Sequence, residues 1–174
     1  MDSQNPVYWS GATDVWIAQS FTASENYDID GVILKMYREA EEPGNITLAI
    51  RAVDGEGKPT GDDLCSVTIN ANDITTDSNG EEVTFEFDSS TSLTNGTKYT
   101  IVLKSPANES TYVRWILDSS NASYAGGNYL YSEDAGSTWA VDTGADFYFK
   151  TFSLASPLGS PIMLTPGSIE SWGW

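Results

Sequence analysis

The sequence predicts an all-β protein, an antiparallel β-sandwich. Three observations lead there. Short runs of alternating apolar and polar residues recur along the chain, each closed by Gly, Pro, Asn, Asp or Ser, as in strands joined by turns. The runs are rich in β-branched and aromatic residues, and none makes a credible helix. The stretch 112–152, YVRWILDSSNASYAGGNYLYSEDAGSTWAVDTGADFYFKTF, concentrates aromatic residues and breaks them at short intervals with turn formers. Hydrophobic residues make up 40% of 174, enough for a real core and too many for a disordered chain.

Taken in order, residues 1–15 read as an N-terminal arm, interrupted by Pro6 and Gly11, in which Tyr8 and Trp9 can dock. Trp16–Thr22 is the first strand. Val32–Arg38 follows, with Val32, Leu34 and Met36 on one face; Ile46–Val53 then places Ile46, Leu48 and Ile50 together. Asp54–Asp63 reads as a loop of glycines, Pro59 and acids, and Leu64–Asn70 as a short strand. Glu82–Asp88 alternates most cleanly, with Val83, Phe85 and Phe87 inward, and Lys98–Lys104 buries Tyr99, Ile101 and Leu103. Strands at Tyr112–Leu117, Tyr129–Tyr131 and Phe147–Phe152 complete a body spanning 16–152. The connections 54–63 and 118–128 read as long crossings and favour a jelly roll over a meander.

From Ser153 the texture changes. The segment 153–174 holds Pro157, Pro161 and Pro166 and a single charged residue, Glu170, yet it is apolar through Leu158, Ile162, Met163, Leu164, Ile169, Trp172 and Trp174. Prolines at this spacing prevent a helix or a central strand. The segment either folds back over its own sandwich or inserts into a neighbouring subunit. The two Trp residues and the Ile-Met-Leu run need a burial site, and this favours the arm.

The octapeptide Ser132-Glu133-Asp134-Ala135-Gly136-Ser137-Thr138-Trp139 resembles the Asp-box, Ser-x-Asp-x-Gly-x-Thr-Trp. In that device the Asp and Ser side chains tie down turn amides, Gly takes a conformation closed to other residues and Trp packs on the sheet below. The motif recurs on unrelated folds, and one copy in a chain this short does not make a sialidase propeller. More widely, AQSFTAS (18–24), GVILKMYRE (31–39), IRAVDGEGKPTGDDL (50–64), TKYTIVLKSP (97–106), YVRWILDSS (112–120) and SYAGGNYLYSEDAGSTW (123–139) resemble a β-sandwich module. That module occurs in minor structural proteins of tailed phages and archaeal viruses and in bacterial surface proteins, and is similar to jelly-roll carbohydrate-binding modules. The resemblance spans about 16–152, leaves both arms outside and implies no catalytic residues.

Composition narrows the function. With 8 basic against 25 acidic residues the net charge is −17, which opposes nucleic acid or an anionic membrane at long range. Histidine is absent, which removes the commonest general base and metal ligand, and no nucleophile motif is present; no enzyme activity is expected. Cys65 is the sole cysteine and alternates in phase with Val67 and Ile69, as a small core residue would. No apolar run reaches the length of a membrane span, and the start MDSQNPVYWSG lacks a signal-peptide pattern.

Three candidate sites remain. Asp54, Glu56, Asp62 and Asp63 share a Gly-rich loop whose oxygen ligands suit a structural Ca²⁺, the alternative being a solvated loop. Tyr124, Tyr129 and Tyr131 are candidates for stacking a sugar ring, the alternative being core or edge packing. Leu158, Ile162, Met163, Leu164, Ile169, Trp172 and Trp174, with Tyr8 and Trp9, are the candidate partner-binding set. Sequons stand at Asn45, Asn95, Asn108 and Asn121. The expectation is a virion structural protein (decoration, fibre or tail-associated), assembled in a host cytoplasm, displayed on the virion surface and binding capsid or tail subunits, and further copies of itself, through its arms. The alternative is a non-catalytic carbohydrate-binding module, extracellular or on a cell surface.

Overall fold

The computed structural model describes residues 15–39, 42–105, 112–118, 124–154 and 162–164. Its strands are β1 (Trp16–Thr22), β2 (Tyr27–Arg38), β3 (Asn45–Val53), β4 (Pro59–Asn70), β5 (Glu81–Leu93), β6 (Lys98–Lys104), β7 (Val113–Trp115), β8 (Leu117–Asp118), β9 (Tyr129–Ser132), β10 (Ala140–Asp142), β11 (Asp146–Phe147), β12 (Phe149–Ser153) and β13 (Ile162–Leu164). A 3₁₀ turn at Ala71–Asp73 precedes β5.

One sheet runs β10-β9-β1-β6-β3-β4 and the other β13-β12-β2-β5, with β7 on the end of β2; β8 and β11 pair separately. Every pairing is antiparallel. The alternation read from the sequence sets the inner faces. Ile17 and Phe21 of β1, Ile46, Leu48 and Ile50 of β3, and Tyr99, Ile101 and Leu103 of β6 meet Ile29, Val32, Leu34 and Met36 of β2, Phe85 and Phe87 of β5, and Phe149 of β12 in one buried cluster. Trp115 lies in that core with its ring stacked on Phe147 at 4.2 Å, its indole N–H donating to the Tyr148 carbonyl at 2.7 Å. Cys65 is also core, and burial pushes its thiol up to about 12. Among the described residues no helix is long and apolar enough to cross a membrane.

Three expectations need correction. The segment 54–63 is no crossing: β3 and β4 are hydrogen-bonded neighbours joined by the turn 54–58. Asp54 closes that turn by itself, its Oδ1 accepting from the Glu56 amide at 2.8 Å and the Lys58 amide at 3.0 Å. The jelly-roll expectation thereby loses one of its two supports. The other, 118–128, leads from β8 of the small separate pair to β9 of the first sheet, and 119–123 lie outside the described residues. Second, β6 is buried on both faces, Thr100 and Val102 included. The reason is a second, smaller cluster on the outer side of the first sheet, where Ala18, Val102, Leu130 and Trp139 pack with Trp16. Third, β2 and β5 extend past the runs of clean alternation, because their pairing shifts register between Ile29 and Gly31 and carries residues 87–90 opposite Asp30.

Candidate functional site

The outer side of the first sheet is built by the hairpin that follows β9. Ser132 Oγ accepts from the Gly136 amide at 2.8 Å and donates to Asp134 Oδ1 at 2.8 Å. Asp134 Oδ1 accepts from the Thr138 amide at 2.8 Å and its Oδ2 from Thr138 Oγ1 at 2.7 Å. These amide and hydroxyl donors, the Thr138 amide first, hold the Asp134 carboxyl below its usual range. Gly136 takes a φ of 82°, and a Cβ there would come within 2.5 Å of the Trp16 ring. Trp139 donates its indole N–H to the Gly136 carbonyl at 3.1 Å and lies in the outer cluster. The octapeptide is thus a clasp that covers Ala18, Val102 and Leu130.

Beside the clasp lies a group the sequence did not announce. Between Ile50 and Ala52 the β3–β4 register shifts, leaving residues 61–64 opposite Arg51. The bulge turns Asp63 toward its neighbours on the sheet: Oδ1 meets Arg51 Nε at 2.6 Å and Oδ2 meets Lys104 Nζ. Burial alone would raise the Asp63 carboxyl; Lys104 and Arg51 outweigh it and hold the group below its usual range. Both cations also stand over Trp16, Arg51 Cζ at 5.3 Å from the ring centroid and Lys104 Nζ at 4.9 Å. One carboxylate, two cations and one indole therefore lock the register of β1, β3, β4 and β6 on this face. The cross-strand partners Trp16↔Lys104 and Thr47↔Lys104 give a sequence signal only once the pairing is known.

The candidate calcium ligands do not assemble. Asp54 is spent on its own turn, Glu56 pairs with Lys58 at 2.7 Å, Asp62 is exposed, and Asp63 faces Arg51 and Lys104. Pairing of Pro59 and Thr60 with β3, and the bulge at 61–64 that follows, set apart residues that a loop would have kept together. Among the described residues, no three of Cys, Asp or Glu come together as metal ligands.

The candidate tyrosines do not form a platform either. Tyr124 is buried, its ring edge-on to Phe149 at 5.3 Å and its hydroxyl accepting from the Thr22 amide at 3.1 Å. Burial pushes its phenol up, and that of Tyr129 as well. Tyr129 and Tyr131 are half-buried against the core, their rings tilted at 5.7 Å, with Tyr129 edge-on to Phe147 at 5.0 Å. The register explains this: Leu130 points to the outer cluster, so its neighbours on β9 point inward.

Behind Tyr124 lies a buried polar network that was also missed. Asp146 Oδ1 accepts from Gln19 Nε2 at 3.1 Å, and Oδ2 from the Tyr124 amide at 3.0 Å. Gln19, fully buried, accepts from the Phe147 amide at 2.8 Å. In the sequence Gln19 and Asp146 are two unremarkable polar residues 127 positions apart.

Of the candidate partner-binding set, Tyr8, Trp9, Leu158, Ile169, Trp172 and Trp174 lie outside the described residues. Ile162, Met163 and Leu164 form β13, whose backbone pairs with Ser153, Phe152 and Thr151 of β12. At these three positions the tail folds back on its own sheet edge. The end of β12 is fixed by Asp30, whose Oδ2 accepts from the Leu154 amide at 2.6 Å and from Ser153 Oγ at 3.3 Å. Among the described residues, Arg51, Lys58, Lys104, Arg114 and Lys150 each meet a carboxylate. Comparisons with family profiles, with curated proteins and with solved structures find no match for this chain.

Proposed function

We propose that the chain is a virion structural protein, a decoration, fibre or tail-associated jelly roll that attaches to a particle lattice through its arms. The observation that carries this reading is the contrast between body and tail. The sandwich buries its own apolar faces, down to a clasp over the outside of one sheet. The segment after Leu154 is apolar and proline-rich, and its residues Ile162–Leu164 already add a strand to β12. Burial of Leu158, Ile169, Trp172 and Trp174 against capsid or tail subunits supplies the hold, and the acidic body faces outward. Proline limits the conformations the tail loses on docking.

The glycan-binding reading has less support, since Tyr124 is occupied and Tyr129 and Tyr131 lean on the core. The test is location. Particles purified from the natural source and probed with an antibody to the chain should carry it at a fixed copy number, visible as a regular outer feature by cryo-imaging. Its absence from particles, together with saturable binding on a glycan array, would replace this reading with the other.

A further inference from the structure

We propose that Asn95 is a site of slow, enzyme-independent modification. Its side-chain amide is lost to the backbone nitrogen of Gly96, and the folded chain gathers aspartate and isoaspartate there in preference to its other Asn-Gly pair, Asn79-Gly80.

The reaction needs an asparagine side chain free to swing onto the next main-chain nitrogen, and a next residue that leaves that nitrogen open. A bond forms between Gly96 N and Asn95 Cγ, the Cγ–Nδ2 bond breaks, and ammonia leaves with the proton that Gly96 gives up. Water then opens the cyclic imide. Cleaving the new Cγ–N bond gives aspartate; cleaving the original peptide bond gives isoaspartate, with the main chain running through Cγ.

Asn95 and Gly96 are both exposed, in the turn by which the chain passes from β5 of the second sheet to β6 of the first. The Thr97 amide closes that turn on the Thr94 carbonyl at 3.0 Å, and Gly96 has a φ of 74°. A Cβ on Gly96 would meet nothing within 4 Å, so its nitrogen is approached through open space. Asn95 bonds through its main-chain N–H, to Asn26 Oδ1 at 2.8 Å, and nothing among the described residues holds its side-chain amide. Asn79 is exposed too, but its Nδ2 donates to Asp77 Oδ1 at 2.8 Å and its main-chain N–H to the same oxygen at 2.9 Å. Gly80 is packed, since a Cβ there would stand 3.1 Å from the Met36 carbonyl oxygen. Both glycine N–H groups are bonded, Gly96 to the Ala23 carbonyl at 2.8 Å and Gly80 to the Asp77 carbonyl at 2.9 Å. Each reaction therefore waits on local opening, and the two sites share that requirement. They differ in the Asp77 carboxylate, whose bond to the Asn79 amide must break first. A hydrogen bond to a charged group is strong enough to slow Asn79 by about tenfold.

The test incubates the full chain at mildly alkaline pH, once folded and once in denaturant. Peptides covering the two pairs are followed by mass and by isoaspartate-specific enzymatic methylation. In the folded chain Asn95 should convert about tenfold faster than Asn79, and in denaturant the two should convert at similar rates. Asp77→Ala should speed Asn79 alone. Asn95→Gln, whose longer side chain closes the ring poorly, should remove the signal at that position. Folded-state rates within about twofold of each other, or a faster Asn79, would overturn the proposal. So would an Asn95 that stays intact in the folded chain while the denatured chain converts at both pairs.

Discussion

Two carboxylates show how single residues hold this molecule. Asp146 is buried with both oxygens accepting, and the donors that face it, the Gln19 amide and the Tyr124 N–H, are fixed by the fold. Asp146→Asn would turn an N–H₂ toward a donor and should lower stability by about 1–3 kcal/mol, seen as a lower denaturant midpoint at unchanged slope. Asp63 acts through charge. Its folded pKa is lowered, so it contributes stability above the ordinary aspartate value of 3.8 that is lost as the pH falls through the folded value. Asp63→Asn should cost about 1–2 kcal/mol near neutral pH, between an exposed and a buried pair, and should flatten the acid limb of a melting-temperature profile. An unchanged acid limb would show that Arg51 and Lys104 do not stabilise the carboxylate.

At the scale of elements, the clasp 132–139 is the unit to test. Trp139 packs with Ala18, Val102 and Leu130, and its removal uncovers all three. Trp139→Ala should cost about 3 kcal/mol and raise hydrogen exchange in β9 and β10 before β2 or β5. The connection before β9 is just as tightly set. A Cβ at Gly127 would stand 1.7 Å from the Ser20 carbonyl, so Gly127→Ala should break the pairing of Ser20 with Asn128 and lower the melting temperature by several degrees. Legibility differed by element for physical reasons. β1 and β6 are bounded as the sequence predicts because turn formers flank clean runs. The start of β4 was hidden because Pro59, Gly61 and Asp62-Asp63 read as loop; an edge strand tolerates them where a central strand would not. The first residues of β2 were hidden because Asp30-Gly31 reads as a turn, whereas here it marks a register shift. The candidate calcium site failed because residues close in sequence were grouped, whereas the bulge at 61–64 and a one-residue step along β4 separate them. The candidate sugar site failed because Tyr129 and Tyr131 share the core-facing side of β9.

For the whole molecule, both long edge strands carry devices that discourage indiscriminate pairing. β4 has Pro59 and its bulge, and β5 has Glu81, Glu82, Glu86 and Asp88 and an irregular stretch at 87–90. A net charge of −17 adds repulsion between bodies, and the proposed attachment therefore rests on the apolar segment after Leu154. Raising the salt concentration should therefore strengthen binding to particles or leave it unchanged; a steep loss with salt would point to a charge-driven hold instead. The most direct measurement is the occupancy of particles by the chain lacking 155–174, compared with the intact chain. The account predicts a body that still folds with at most a modest drop in melting temperature, and occupancy reduced at least tenfold, the loss of about 1.4 kcal/mol or more of binding. A folded, truncated chain that occupies particles as well as the intact one would contradict it.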